Sequence, residues 1–397
     1  MGFTGEQPRF CPASYNRAMP TTLDVCIRGS GIVGRSLALL LARERLRVGL
    51  LEGPGVDASP APAPTQAHAD VRAYALSPAS RALLESVRAW PSDPLVATPV
   101  RHMQVWGDQS SALNFDAATL GADALSWIVD VPALEAELAQ AVRFQPQIEV
   151  LGAPAPAHLT VVCEGRASST RAELGVDFEV TPYDQHALAA RLHCERPHAQ
   201  VARQWFANGE ILAFLPMGGE NGSAVALVWS VPPERATHLQ GLDASDFCRE
   251  LEQMSQLTLG RLSLASERRT WPLQRAQARQ WSGKSTLGPW VLAGDAAHNV
   301  HPLAGQGLNL GLADVAELTR VLHAREYWRN VGDARLLRRY ERTRKADMLA
   351  LDAGMDGLQL LFARHGEAWS ALRRWGLQGV EHSAWLKHWL ARHAMNF

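Results

Sequence analysis

Three glycines, Gly29, Gly31 and Gly34, stand as G-x-G-x-x-G between a short apolar run, LDVCI from Leu23, and a stretch of helical spacing, RSLALLLARERL. Such a turn has little side chain to hold a ligand off. A pyrophosphate can therefore approach the amino end of the helix, where unpaired N–H groups and the helix dipole favour negative charge. The next apolar run, RVGLLE, ends at Glu52, about 20 residues on, the separation expected of a carboxylate that accepts hydrogen bonds from a ribose diol. Together these residues point to an adenosine dinucleotide, and the pattern fits FAD and NAD equally. The competing explanation is a glycine turn required by packing alone. Arg28, directly before the first glycine, is read as pointing to solvent.

A second constellation lies in VLAGDAAHNVHPLAGQGLNLGLADVAEL, from Val291 to Leu318. Asp295 ends a buried strand, where a carboxylate can accept hydrogen bonds from a polyol chain. A loop with Pro302 follows, and a glycine pair around Gln306, Gly305 and Gly307, opens a helix that runs on through Leu308 and Asn309. The N–H groups of Gly305 to Asn309 would stabilise negative charge. Reduced flavin carries such charge over its N1 and C2 carbonyl region, so a positive helix end there favours the reduced anion.

This segment resembles the G-D motif of the group A flavoprotein monooxygenases, the family of para-hydroxybenzoate hydroxylase. Its wording AGDAAHNVHPLAGQGLNLGLADV is similar to the subgroup that hydroxylates polyprenylated phenols on the way to ubiquinone. The resemblance implies that Asp295 holds the ribityl hydroxyls of FAD, that Pro302 lies near the ring face, and that Gly305, Gln306, Gly307, Leu308 and Asn309 meet the pyrimidine edge. DVRAYALSPASRALLES, from Asp70, resembles a second block of the subgroup, with Arg72 as a neighbour of the flavin. YERTRKADMLALDAGMDGLQLLF, from Tyr340, resembles its C-terminal helices. The likeness runs from Leu23 to Phe397 and is thin between Phe178 and Trp271. Two departures stand out: Glu164-Gly165 where the family has D-G, and Asp130-Val131-Pro132 where the subgroup reads close to E-N-R. The region from Gln145 to Pro156 is also shortened.

The chemistry implied is that of an FAD-dependent monooxygenase. NADH or NADPH reduces the flavin, O2 adds to give a flavin hydroperoxide, and its terminal oxygen goes to an electron-rich phenolic ring, with no metal needed. The substrate implied is a polyprenylated ubiquinone precursor; the alternatives are a soluble aromatic substrate on the same fold, or a non-catalytic flavoprotein-like subunit of a biosynthetic assembly. No catalytic base is assigned. His298 and His301 lie in the flavin loop and are read as hydrogen-bonding groups that shape it. In the alternating region Arg203, Gln204, Trp205 and Phe206 are candidates to face the substrate.

These residues need elements to position them. Strand-turn-helix-strand patterns from Leu23, LTVVCEG near position 160 and PWVLAG near position 290 read as buried parallel strands. Short alternating runs between Val176 and Thr270 read as an antiparallel sheet with DFCRELEQMSQL as a helix, and almost everything after Leu308 has helical spacing. The expected fold is α/β: a Rossmann-like FAD-binding domain (21–75, 100–175 and 271–335), an inserted antiparallel-sheet substrate domain (76–99 and 176–270), a helical C-terminus (336–397) and a tail over 1–20.

Composition agrees. With 397 residues, 47% hydrophobic and 20% charged, the chain can bury two cores. A net charge of −1 provides no field to gather nucleic acid. The five cysteines, Cys11, Cys26, Cys163, Cys194 and Cys248, have neither disulfide nor zinc spacing and fit a reducing cytoplasm. Trp369, Trp375, Trp385 and Trp389 lie near Arg373, Arg374, Lys387 and Arg392. Such helices can rest on the inner face of a membrane, or cap the flavin domain.

Overall fold

The computed structural model describes residues 22–52, 70–107, 112–286, 288–299 and 307–363. LDVCIR is buried at almost every position, which suits a strand covered on both faces. It forms β1 (Leu23–Arg28), followed by α1 (Ile32–Arg43) and β2 (Val48–Leu51). β3 (Ala73–Leu76), α2 (Pro78–Ser86) and β4 (Ala97–Val100) come next, then β5 (His102–Trp106) and β6 (Ala112–Asp116). β7 (Ser126–Asp130) leads directly into α3 (Val131–Arg143), β8 (Ile148–Leu151), β9 (Ala157–Val162) and the short α4 (Ser169–Glu173).

The long β10 (Phe178–Cys194) begins a run of antiparallel strands, β11 (Val201–Ala207), β12 (Glu210–Met217) and β13 (Ala224–Val231). Helices α5 (Pro233–Gly241) and α6 (Ala244–Met254), then β14 (Leu262–Leu264) and β15 (Arg269–Ala278), complete that part. The chain returns through β16 (Ser282–Ser285), β17 (Gly288–Leu292) and β18 (His298–Asn299), and continues as α7 (Gly307–His323) and α8 (Ala334–Ala363).

Among the described residues three sheets result. The six-stranded one has the order β16-β17-β9-β1-β2-β8 and is parallel except for the β16–β17 hairpin. The nine-stranded one runs β18-β15-β10-β13-β12-β11-β5-β6, with β14 on β10, and β3-β7-β4 form a small sheet between the two. The parallel sheet returns to its own edge after β15, as a discontinuous α/β domain with an antiparallel insertion requires.

Two segments fall elsewhere than their sequence pattern indicates. Residues 102–106 and 112–116, placed with the parallel sheet, extend the large sheet instead: β5 runs parallel to β11, with Val201 opposite His102, and Trp106 stacks on Trp205 at 4.8 Å. Residues 76–99, placed with the antiparallel part, instead contribute Leu84, Val87, Ala89 and Ala97 to the core of α1 and β1. Alternation identifies a strand but not its partner, and an amphipathic helix packs on whichever apolar face it reaches.

Strand alternation divides the large sheet cleanly. One face carries Leu188, Leu192, Trp205, Phe214, Leu227 and Trp229, covered by Leu239, Phe247 and Leu251 of α5 and α6. The opposite, inner face carries Ala202, Leu215 and Ala226, against which Val100 and Ile128 of the small sheet pack. Among the described residues no helix is long and apolar enough to cross a membrane.

Candidate functional site

The carboxyl ends of β1, β9 and β17 lie side by side, because β9 pairs in parallel with both outer strands. The glycine turn after β1 and Asp295 after β17 therefore open on one edge, the place where α/β sheets bind ligands. Val33 of α1 bridges them: a Cβ on Gly294 would lie 3.3 Å from its side chain, and one on Gly311 of α7 only 2.8 Å.

The three glycines have different reasons to be there. Gly29 has φ +109°, and a Cβ would sit 2.5 Å from the Cys163 carbonyl oxygen; at Gly34 it would sit 1.9 Å from the Gly29 carbonyl oxygen. Packing demands both. Around Gly31 a Cβ would meet nothing within 4 Å among the described residues, where α1 also begins with no side-chain cap and no acidic residue in its first turn. The helix end is open and positive, which fits an approaching pyrophosphate. At the end of β2, Glu52 donates its backbone N–H to Leu151, while its carboxylate has no hydrogen bond among the described residues.

Asp295 keeps open surface yet is ringed by protein. That desolvation raises its carboxyl pKa, against the pull of His298, Arg166 and Arg72. Exposed surface and close surrounding protein thus coincide at Asp295. A raised native pKa means that ionisation opposes folding above the ordinary carboxylate value near 4. Asp295→Asn is therefore expected to raise the thermal stability of the FAD-free protein at pH 7 while lowering FAD affinity about tenfold. Unfolding scans and FAD titrations at pH 7 test this, and an Asn variant less stable than the parent would refute it.

Beneath Asp295 lies a network the sequence reading missed. Asp314 of α7 is fully buried and accepts hydrogen bonds from the Gly294 N–H (2.8 Å), His298 Nε2 (2.7 Å) and Arg344 Nε of α8 (2.6 Å). Burial pushes its carboxyl up, but His298 and Arg344 outweigh this and hold it below the usual range. The His298 ring stacks on Trp281 at 4.9 Å, and Tyr340 donates its hydroxyl to the Leu292 carbonyl. His298 is thus a hydrogen-bonding group, bound to the buried Asp314. The available signal was Asp314 itself, a carboxylate in register with Leu310 and Leu318 on an apolar helix stripe.

The 70–86 block is tied to α7 by Asn309. Its side-chain oxygen accepts from the Ser77 N–H (2.9 Å) and Ser80 Oγ (2.8 Å), and its amide donates to the Ala75 carbonyl (2.8 Å). Gly307 and Leu308 precede it in the first turn of α7. Arg72 is held by Asp70 through bonds of 2.5–3.0 Å and is near enough to Asp295 to lower its pKa. Arg191 of β10 reaches across to Asp130 (2.5 Å) and the Asp70 carbonyl (2.8 Å), fastening the large sheet to this edge. Pro302, Gly305, Gln306 and His301 lie outside the described residues, as do Trp369, Trp375, Trp385 and Trp389.

The departures have local explanations. Glu164 accepts from Ser168 Oγ (2.7 Å), the Thr170 N–H (3.0 Å) and Thr170 Oγ1 (2.5 Å), so its longer side chain ties down the start of α4. Arg28, expected in solvent, is buried and donates to Thr170 Oγ1 at 3.0 Å. Its guanidinium also meets Glu173 of α4 at 3.4 Å. Val131 is buried in the core with Leu134 and Leu138. Of the four residues 203–206, Arg203 and Trp205 point to the α5–α6 side, whereas Gln204 and Phe206 alternate to the inner face.

The family model described as FAD binding domain matches residues 154–351. The chain is 30% identical over 396 residues to 3-demethoxyubiquinol 3-hydroxylase of Escherichia coli (strain K12), covering 94% of this chain and 98% of that one. It is 29% identical to ubiquinone hydroxylase UbiL of Rhodospirillum rubrum over 394 residues, 94% and 89% of the two chains. Among solved structures, p-nitrophenol 4-monooxygenase PnpA of Pseudomonas putida DLL-E4 superposes with a TM-score of 0.69 at 16% identity, over 95% of this chain and 99% of that one. That likeness supports the fold alone. The shared edge at Gly31 and Asp295, with a relative matched along nearly its full length, places the chain in the group A FAD-dependent monooxygenases, in the subgroup of the ubiquinone-biosynthesis hydroxylases.

Proposed function

We propose that this FAD-dependent monooxygenase hydroxylates the phenolic ring of a polyprenylated ubiquinone precursor, with O2 as oxidant and NADH or NADPH as reductant. The observation that carries the reading is the meeting of an open helix end at Gly31, the carboxylate of Glu52, unpaired among the described residues, and Asp295 along one sheet edge. The substrate class is taken from what the relatives are named for.

In this reading the N–H groups around Gly31 hold the pyrophosphate, Glu52 the ribose of the adenosine half, and Asp295 the ribityl chain. The first turn of α7, Gly307 to Asn309, directs its N–H groups at the pyrimidine edge, with Pro302, Gly305 and Gln306 completing that loop and Arg72 alongside. FAD, when bound, supplies the electron transfer and the activation of O2. The chain's own task is to orient the phenol on the inner face of the large sheet and to exclude water there, so that oxygen is delivered to the ring. The parallel sheet with 271–335 forms the flavin domain and the large sheet, now with 102–106 and 112–116, the substrate domain. A cytoplasmic protein resting on the membrane through residues beyond 363 suits a polyprenyl substrate.

Purified protein is expected to be yellow, or to become so with added FAD, and to oxidise NADH or NADPH faster when a prenylated phenol is present. A colourless preparation that takes up no FAD, or stimulation by water-soluble phenols alone, would contradict the proposal.

A further inference from the structure

The inner face of the large sheet holds a polar group with no partner among the described residues. Across β5, β11, β12, β13 and β10 the paired residues form a row: Val105, Gln204, Ala213, Val228 and Ala189. Gln204, Ala213 and Ala189 are 7%, 8% and 4% exposed, yet none belongs to the three apolar cores. The Gln204 carboxamide has no hydrogen bond among the described residues, and it is not one of the enclosed polar atoms lacking a partner, so its amide retains some open surface. Keeping a buried amide unpaired is costly unless something completes it. Ala213 stands directly beside it on β12, and Ala189 lies two strands further on, across Val228.

A carboxamide both donates and accepts, and it is neutral. It suits a ring hydroxyl, whereas a carboxylate calls for a cation. Among the described residues Arg191, on this face, is already held by Asp130 and the Asp70 carbonyl. Arg269, opposite Ala189 on β15, stands four strand spacings from Gln204 in the sheet order, about 19 Å away. We infer that Gln204 reads the ring hydroxyl of the substrate and that the ring carries no carboxylate. This rests on the proposed function and adds to it a specificity-determining residue and a restriction on the substrate's charge.

The test uses the full chain with FAD bound and three probes: farnesylated 2-methoxyphenol, the same molecule lacking the ring hydroxyl, and farnesylated 4-hydroxybenzoate. Dissociation constants are read from the change in flavin absorbance. The parent protein is expected to prefer the first probe to each of the others by tenfold or more. In Gln204→Leu, and in the near-isosteric Gln204→Met, the preference over the probe without hydroxyl should fall to near one, with the affinity for that probe and the bound-flavin spectrum unchanged. A merely structural role would not move that ratio selectively. A preference that persists in both variants, or a parent that binds the carboxylated probe as tightly as the phenol, overturns this inference alone. A parent that holds FAD and binds none of the three overturns the proposed function with it.

Discussion

Asp314→Ala is expected to destabilise the protein by about 3–5 kcal/mol, because it leaves buried charge uncompensated. Asp314 lies between Arg344 and His298 with no exposed surface, and among the described residues Arg344 would retain only the half-exposed Asp347 as an acid partner. The loss should extend to the cofactor, since the Gly294 N–H bonded to Asp314 sets the turn that aims Asp295. Urea unfolding and the ratio of flavin to protein absorbance after purification measure both effects. The native carboxyl is held below its ordinary value. Its stabilising contribution is therefore complete above the unfolded value near 4 and is lost as pH falls through the lower native one. The variant should lack that part of the acid dependence. Unfolding within about 1 kcal/mol of the parent at pH 7 would show that the network is not what holds this edge together.

Gly34→Ala and Gly31→Ala should differ sharply although they alter the same motif. A Cβ at Gly34 would lie 1.9 Å from the Gly29 carbonyl oxygen and 3.1 Å from its carbon. Both are backbone atoms of a turn that β1 and β9 already fix, so α1 would have to move bodily. The expected cost is about 3 kcal/mol or more, at the upper end of overpacking penalties. At Gly31 the added methyl meets no atom of the described residues within 4 Å, so stability should change by less than about 1 kcal/mol. It would intrude where the pyrophosphate approaches, and FAD affinity should fall roughly 10- to 100-fold, the equivalent of about 1.4–2.8 kcal/mol. Thermal unfolding paired with FAD titration separates the two effects. If Gly31→Ala bound FAD like the parent, the turn would be there for packing alone.

Features legible in the sequence are those whose geometry is local. A glycine turn between strand and helix, a carboxylate at a strand end and the apolar periodicity of β1, β9 and β17 depend on neighbours a few residues away. Harder to read were the partners of polar side chains, which lie far off in the chain. Arg28 meets Thr170, Asn309 meets Ser77 and Ser80, and Asp314 meets Arg344. Nothing at position 28 announces α4, so a solvent-facing arginine was the simplest reading. Gln204 stands between these cases: alternation separates it from Arg203 and Trp205, but only the register with Ala213 and Val228 shows which face it joins.

By itself the sequence determined that a strand-turn-helix could receive a dinucleotide, that a second glycine-rich segment stood ready for a flavin, and which family wrote both. Only the tertiary structure decided that these two segments share one sheet edge, that β5 and β6 extend the large sheet, and that Asp314 braces the site from below. The division has a physical reason. Backbone conformation follows from adjacent side chains, whereas the pairing of buried charges and the choice of strand neighbours follow from the free energy of burying distant surfaces together, which no local pattern encodes.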